Sequence, residues 1–246
     1  MKSYKTNILL AALTLIMASC SGRKDGDQGF IAFSLASDEA IEEVTKSNVS
    51  DFTSLPETGD FTLVITDNDE NEVYRGLLSA YSSSTALKAG SYTATASYGS
   101  SSREGFDCPY FSGSQQFVVS GGATTDVQIP VKLANCIIRL AFADSFTSYY
   151  TDWNFTLTTG GGTTVQFPKS ESRAAFIDAY SFSISGTLVN QAGKTQTFSK
   201  SYTSSINAKT CYTLSFRASN VGGDKITIAF DDNVDDVDLV EIDLNE

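Results

Sequence analysis

Histidine is absent from the 246 residues, and proline (4), cysteine (4), methionine (2) and tryptophan (1) are scarce. Without imidazole there is no Ser-His-Asp or Cys-His nucleophile system and no histidine-ligated zinc. Basic residues are also few: 17 Lys and Arg stand against 29 Asp and Glu, a formal charge of -12. A chain that follows nucleic acid needs clustered cations to release counterions, so nucleic acid is excluded as a partner. The remaining catalytic route is a pair of carboxylates facing each other across a cleft, and no two acids are paired that way by the sequence. No enzyme, cofactor or metal site is therefore expected. Long apolar runs are missing too, since the longest, Ile8 to Met17, is ten residues, about half of what crosses a bilayer.

What is present begins with an address. Lys2 and Lys5 precede that apolar run, and Met17-Ala18-Ser19-Cys20 closes it with small residues before a cysteine. This exit resembles the lipobox of bacterial lipoproteins. The resemblance implies a signal peptide over residues 1–19, cleavage before Cys20, and lipid on the Cys20 thiol and the new amine. The membrane is thus an expected partner through Cys20, with two or more acyl chains needed for firm anchoring. Residues 20–28 are polar and aperiodic, as a flexible tether is. Lys24-Asp25-Gly26-Asp27 within it is similar to the charged signal that sends Bacteroidetes lipoproteins across the outer membrane to the cell surface. Loss of Lys2 and Lys5 takes the formal charge to -14.

From Gly29 onward period-two alternation dominates. Tyr92, Ala94, Ala96 and Tyr98 share one face, as do Phe61, Leu63 and Ile65; Val127, Ile129, Val131 and Leu133; Cys136, Ile138, Leu140 and Phe142; Trp153, Phe155 and Leu157; and Tyr212, Leu214 and Phe216. Ser and Thr make up about a quarter of the chain, which suits the solvent faces of sheets. Turn signals at Asp67 to Asn71, Gly121-Gly122, Gly160 to Gly162 and Ala192-Gly193 separate the runs. The pattern predicts an all-β chain of about fourteen strands, arranged as two tandem antiparallel β-sandwiches over residues 29–133 and 134–246. Only Asp38 to Lys46 reads as a helical turn, and Pro130 inside a strand pattern predicts an edge or a bulge. A Tyr-Thr strand follows a short turn in both halves, at Tyr92-Thr93 and at Tyr212-Thr213. The last strand, with Val240, Ile242 and Leu244 alternating with acids, closes the second sandwich.

Four ordered segments, Gly90 to Ser100 (GSYTATASYGS), Phe106 to Gly113 (FDCPYFSG), Lys132 to Cys136 (KLANC) and Ile226 to Asp232 (ITIAFDD), resemble a Bacteroidetes lipoprotein family named domain of unknown function 4493. The resemblance spans essentially the mature chain and brings no catalytic residues. Two β-sandwiches behind a lipobox are similar, at the level of architecture, to fimbrillin-like adhesion lipoproteins. That likeness implies a structural or adhesive surface role, with partners or further copies joined by strand addition at an exposed edge. The alternative is a surface glycan-binding lipoprotein. For it the candidate residues are Tyr110 and Phe111 in one aromatic cluster, and Tyr149, Tyr150 and Trp153 in another, where rings would stack on a sugar or else pack as core.

Of the cysteines left after Cys20, Cys136 and Cys211 lie in strand patterns and read as buried thiols or as a bridged pair, and Cys108 lies beside the first aromatic cluster. Charge is unevenly spread: residues 29–133 carry -9, residues 134–230 carry +3, and residues 231–246 carry -8.

Overall fold

A computed structural model describes residues 27–37, 48–219 and 225–232. Cys20, most of the tether, the candidate turn at Asp38 to Lys46 and the expected strand around Val240 to Leu244 lie outside the described residues.

The first half supplies β1 (Gln28–Ser37), β2 (Thr62–Asp67), β3 (Glu72–Leu77), β4 (Leu87–Lys88), β5 (Gly90–Tyr98), β6 (Gly105–Phe106), β7 (Phe111–Val119) and β8 (Thr124–Leu133). The second supplies β9 (Cys136–Phe142), α1 (Asp144–Tyr149), β10 (Tyr150–Thr159), β11 (Thr164–Pro168), β12 (Ala175–Ile177), β13 (Phe182–Asn190), β14 (Thr195–Tyr202), β15 (Cys211–Ser219) and β16 (Lys225–Asp232). The chain is all-β, and the alternating runs fall on β2, β5, β8, β9, β10 and β15. The expected turns at Asp67 to Asn71, Gly121-Gly122, Gly160 to Gly162 and Ala192-Gly193 join β2 to β3, β7 to β8, β10 to β11 and β13 to β14.

Three sheets result, ordered β3-β2-β5-β7-β8-β1-β4, β11-β10-β13-β14 and β16-β15-β9-β12-β6. The four-stranded sheet is antiparallel throughout, as expected, whereas the other two are mixed. β1 runs parallel to β8 and β9 runs parallel to β15, because each pair is joined through most of its half rather than by a hairpin. The seven-stranded sheet curls on itself: Tyr81 sits edge-on to Phe33 of β1 and to Tyr74 of β3, each at 5.0 Å. Its core is Ile31, Leu63, Ile65, Ala94, Ala96, Phe117, Ile129 and their neighbours. The four-stranded sheet packs on one face of the five-stranded sheet around Phe155, Leu157, Ile184, Leu214 and Phe216.

The five-stranded sheet is buried on both faces in its middle. On β9, Cys136 and Ile138 enter the second core while Ile137 enters the first; beside and along β12, Ala175 and Ile177 enter the second while Ala174 and Phe176 enter the first. A strand covered on both sides loses its polar alternation, which is why Ile137-Ile138 and Ala174 to Ile177 read as continuous apolar runs. β6, from the first half, completes this sheet by pairing Phe106 with Ala175 and Gly105 with Phe176.

Pro130 is internal rather than at an edge. A Cβ on Gly113 would meet the Pro130 carbonyl oxygen at 1.9 Å, so that carbonyl, and with it the missing donor, faces β7. The β7 to β8 ladder holds at Phe111↔Leu133 and Ser112↔Lys132 and breaks at this point, so no hydrogen bond is forfeited there. Gly113 permits the close crossing because it has no side chain.

Cys108, Cys136 and Cys211 are thiols. Cys211 is opposite Ile137 in the β9 to β15 register and packs toward the first core, whereas Cys136 belongs to the second. The two point to opposite faces of one sheet, so no bridge joins them. Burial, with the nearby carboxylates of Asp178 and Glu104 adding to it, pushes the Cys136 thiol up to about 12.

Phe176 is fully buried and carries the second half's strand into the first half's core. Phe176→Ala should cost about 3–5 kcal/mol. Wild type should unfold in urea in one transition; two separated transitions, only one moved by the mutation, would show that the halves fold independently.

Candidate functional site

The aromatic residues expected to stack on sugar divide by burial. Phe111 is 8% exposed and packs 6.4 Å from Phe61 at the end of the first core. Tyr110 is half-buried, and its backbone N–H donates to Asn135 Oδ1 at 3.2 Å. Asn135 also donates through Nδ2 to the Cys108 carbonyl at 3.1 Å. The segment from Gly105 to Gly113 is thus tied across the seam through its backbone, with the Tyr110 ring half-buried.

In the second group, Tyr150 is 2% and Trp153 is 7% exposed. The Tyr150 ring lies 4.8 Å from Phe146 and its hydroxyl donates to Gln196 Oε1 at 2.7 Å. Trp153 is enclosed by Phe142 at 5.0 Å and Phe146 at 5.2 Å, with the Lys169 ammonium 5.0 Å over its ring. Tyr149 is half-buried and edge-on to Tyr150 at 4.9 Å. A ring packed on both faces has no surface to offer a pyranose, so Phe111, Tyr150 and Trp153 are core rather than sugar-stacking residues. Period-two spacing of Trp153 with Phe155 and Leu157 already carried that signal.

What the fold brings together is a polar seam between the halves, built by the connection from β5 to β7. Glu104 accepts from the Thr159 hydroxyl at 2.6 Å through Oε2 and from the Asp178 backbone N–H at 2.9 Å through Oε1. Arg173 pairs with Asp107 at 2.8 Å and Glu171 at 2.8 Å, and its guanidinium lies 4.6 Å over the Phe106 ring. Hydrogen bonds from Arg173 hold the Glu171 carboxyl down at about 2, and the two carboxylates raise Arg173 in return. Apart from Glu171, which is local to Arg173, these partners come from the two different halves, so spacing could not have shown them.

Three other surfaces complete the inventory. Tyr180, 70% exposed, rests on Gly160, where a Cβ would meet its ring carbon at 2.5 Å; the exposed ring went unread because it stands alone between β12 and β13. At the Asp67 turn the carboxylate accepts from the backbone of Asp69 and Asn71, both at 2.9 Å, and from the Asn71 side chain. These bonds hold its pKa low and shape the hairpin. Among the described residues no three metal-ligating side chains converge. The third surface is the edge of the four-stranded sheet. β14 pairs with β13 without interruption from Phe182↔Tyr202 to Val189↔Thr195 and ends that sheet. Thr195, Thr197, Ser199 and Ser201 are exposed along it, and Lys200 is its single charge. Natural edges are commonly guarded by several charges, a proline or a bulge, and β14 has neither proline nor register shift. By contrast β11 is five residues ending in Pro168, and β3 carries an irregularity opposite Ile65/Thr66 with an Arg75–Glu72 ion pair beside it.

The family model described as Domain of unknown function (DUF4493) matches residues 27–245. None of the curated proteins matches the sequence. Among solved structures, the chain is similar to a fimbrial assembly protein from Parabacteroides distasonis (8% identity, 75% of this chain and 91% of that one, TM-score 0.49). It is also similar to a candidate polysaccharide-binding protein from Bacteroides thetaiotaomicron (12%, 81% and 95%, 0.48) and to a candidate cell adhesion protein from Bacteroides eggerthii (10%, 78% and 86%, 0.44). At these scores the likenesses transfer no function.

Exchange of Arg173 for Ala should lower the urea midpoint at pH 7. Because Glu171 is held below its ordinary value of 4.5, that difference is full above pH 4.5 and should close as pH falls toward 2. A difference unchanged across that range would mean the guanidinium acts only by covering Phe106.

Proposed function

Starting from the fact that the chain belongs to the family described as Domain of unknown function (DUF4493), we propose that it is a non-catalytic, lipid-anchored protein of the outer membrane facing the cell surface, with a structural or adhesive role. On this reading residues 1–19 are removed, Cys20 carries the lipid, residues 20–28 are the tether, and residues 29–133 and 134–246 form the two sandwich-like halves that project from it.

One observation carries the adhesive part: β14, an eight-residue, regular, hydroxyl-rich edge whose outer side has no strand partner among the described residues. An extended segment from a partner or a second copy can continue the four-stranded sheet there, with main-chain hydrogen bonds giving affinity. Phe198 points into the core from the same strand, which holds the edge rigid and ready to pair. Ordering that edge beforehand lowers the entropic cost of association.

Two measurements test the reading. Thr197→Lys together with Ser199→Lys leaves the inward residues untouched, so the melting temperature should stay within about 2 °C, as surface changes do. Self-association or surface adhesion should fall at least tenfold; unchanged association would exclude β14 as the contact. Separately, Cys20→Ala should abolish palmitate incorporation and release the protein from membranes, and a labelled, membrane-bound Cys20→Ala protein would refute the anchor.

A further inference from the structure

A cleft of about 510 Å³ opens at the seam, between Asp51 and Phe52 of the first half and Arg139 and Ser172 to Ala174 of the second. That volume holds one or two sugar rings. Arg139 stands on β9 at the place where the strand's first-core face runs out toward solvent, and it is half-buried. Its Nε and Nη2 donate to Thr213 Oγ1 at 3.2 and 2.9 Å. A guanidinium has five N–H donors, and this bond to one edge leaves the Nη1/Nη2 edge directed away from Thr213. Among the described residues no carboxylate lies within ion-pair distance of Arg139, whereas the cleft's other arginine is already matched by Asp107 and Glu171. A half-buried cation that no carboxylate matches among the described residues favours an anion as its partner.

The other walls narrow the anion's identity. Phe52 lines the cleft as an apolar wall, with the Arg139 guanidinium carbon 5.9 Å over its ring centroid. Asp51 is exposed and acceptor-only, with one oxygen taken by the Asn48 backbone N–H at 2.7 Å. We propose that this cleft binds an acidic sugar, its planar carboxylate on the Arg139 fork, its C–H groups against the Phe52 wall and a hydroxyl on Asp51. Arginine is suited to this because its planar fork matches a carboxylate in two bonds. A polyacidic peptide fits less well, since its side chains carry no hydroxyl to donate to Asp51 and no ring to lie against Phe52. The assignment is independent of strand addition at β14, which lies on a different sheet.

The test is calorimetric titration of the full chain in detergent with an oligogalacturonate, its neutral methyl ester and an oligoglutamate. Saturable binding of the oligogalacturonate is expected, at least tenfold weaker for the ester and for Arg139→Gln, and weaker at 300 than at 50 mM salt. Phe52→Leu, entering the cleft from the other half, should weaken binding at least threefold and serves if Arg139→Gln does not fold. The Thr197→Lys, Ser199→Lys protein should bind normally, which separates this site from the β14 edge. Absence of saturable binding, equal binding of the ester, preferential binding of oligoglutamate, or unchanged affinity in a folded Arg139→Gln or Phe52→Leu protein would overturn the assignment.

Discussion

Burial of one sheet on both faces is the constraint from which the rest follows. β9 and β12 place Cys136, Ile138, Ala175 and Ile177 in one core and Ile137, Ala174 and Phe176 in the other. Neither core closes without those strands, since the curled seven-stranded sheet needs Ile137 and Phe176 as a floor and the four-stranded sheet needs the opposite face as its partner. The alternation of a strand, two residues per repeat, is what lets a single element serve two cores. It also separates Cys136 from Cys211 and so keeps both as thiols.

Around that shared sheet the polar groups sort by position. β6 reaches across and pairs with β12, which brings Glu104 to Thr159 and Asp178 and Asp107 to Arg173. These contacts are exposed or partly so, and each contributes modestly; their role is to fix how the excursion between β5 and β7 lies on the second half. Arg139, on the same sheet and facing the same seam, differs in that among the described residues it bonds to a hydroxyl and makes no ion pair.

Much of the fold was legible because hairpins and half-buried strands write themselves locally. Tyr92, Ala94 and Ala96, or Phe155 and Leu157, alternate because one face meets water. Even the faint repeat of Tyr-Thr strands has a physical basis. Tyr92 donates its hydroxyl to the Lys88 carbonyl at 3.0 Å and Tyr212 to the Ser205 carbonyl at 2.9 Å, so each tyrosine ties its strand to the turn before it. β6 and β12 were not legible: two and three residues long, they exist only because β12 lies beside β9 and β6 beside β12. The parallel pairings of β1 with β8 and β9 with β15 were equally hidden, since nothing local marks a partner many strands away. For the candidate site, aromatic clustering drew attention to Phe111, Tyr150 and Trp153, which proved to be core, while the exposed Tyr180 and the lone Arg139 carry no pattern at all.

By itself the sequence determined the class and the exclusions. Alternating apolar residues with abundant Ser and Thr require sheets, and the absence of histidine leaves no imidazole for a nucleophile system or a metal ligand, because each of these depends on residue identity and near neighbours alone. Only the tertiary structure decided which faces are buried twice, which edge is left open and which charges meet across the seam. Those outcomes depend on contacts between residues tens of positions apart, such as Phe106 with Ala175 or Glu104 with Asp178, and a period of two says which way a side chain points without saying what it will meet.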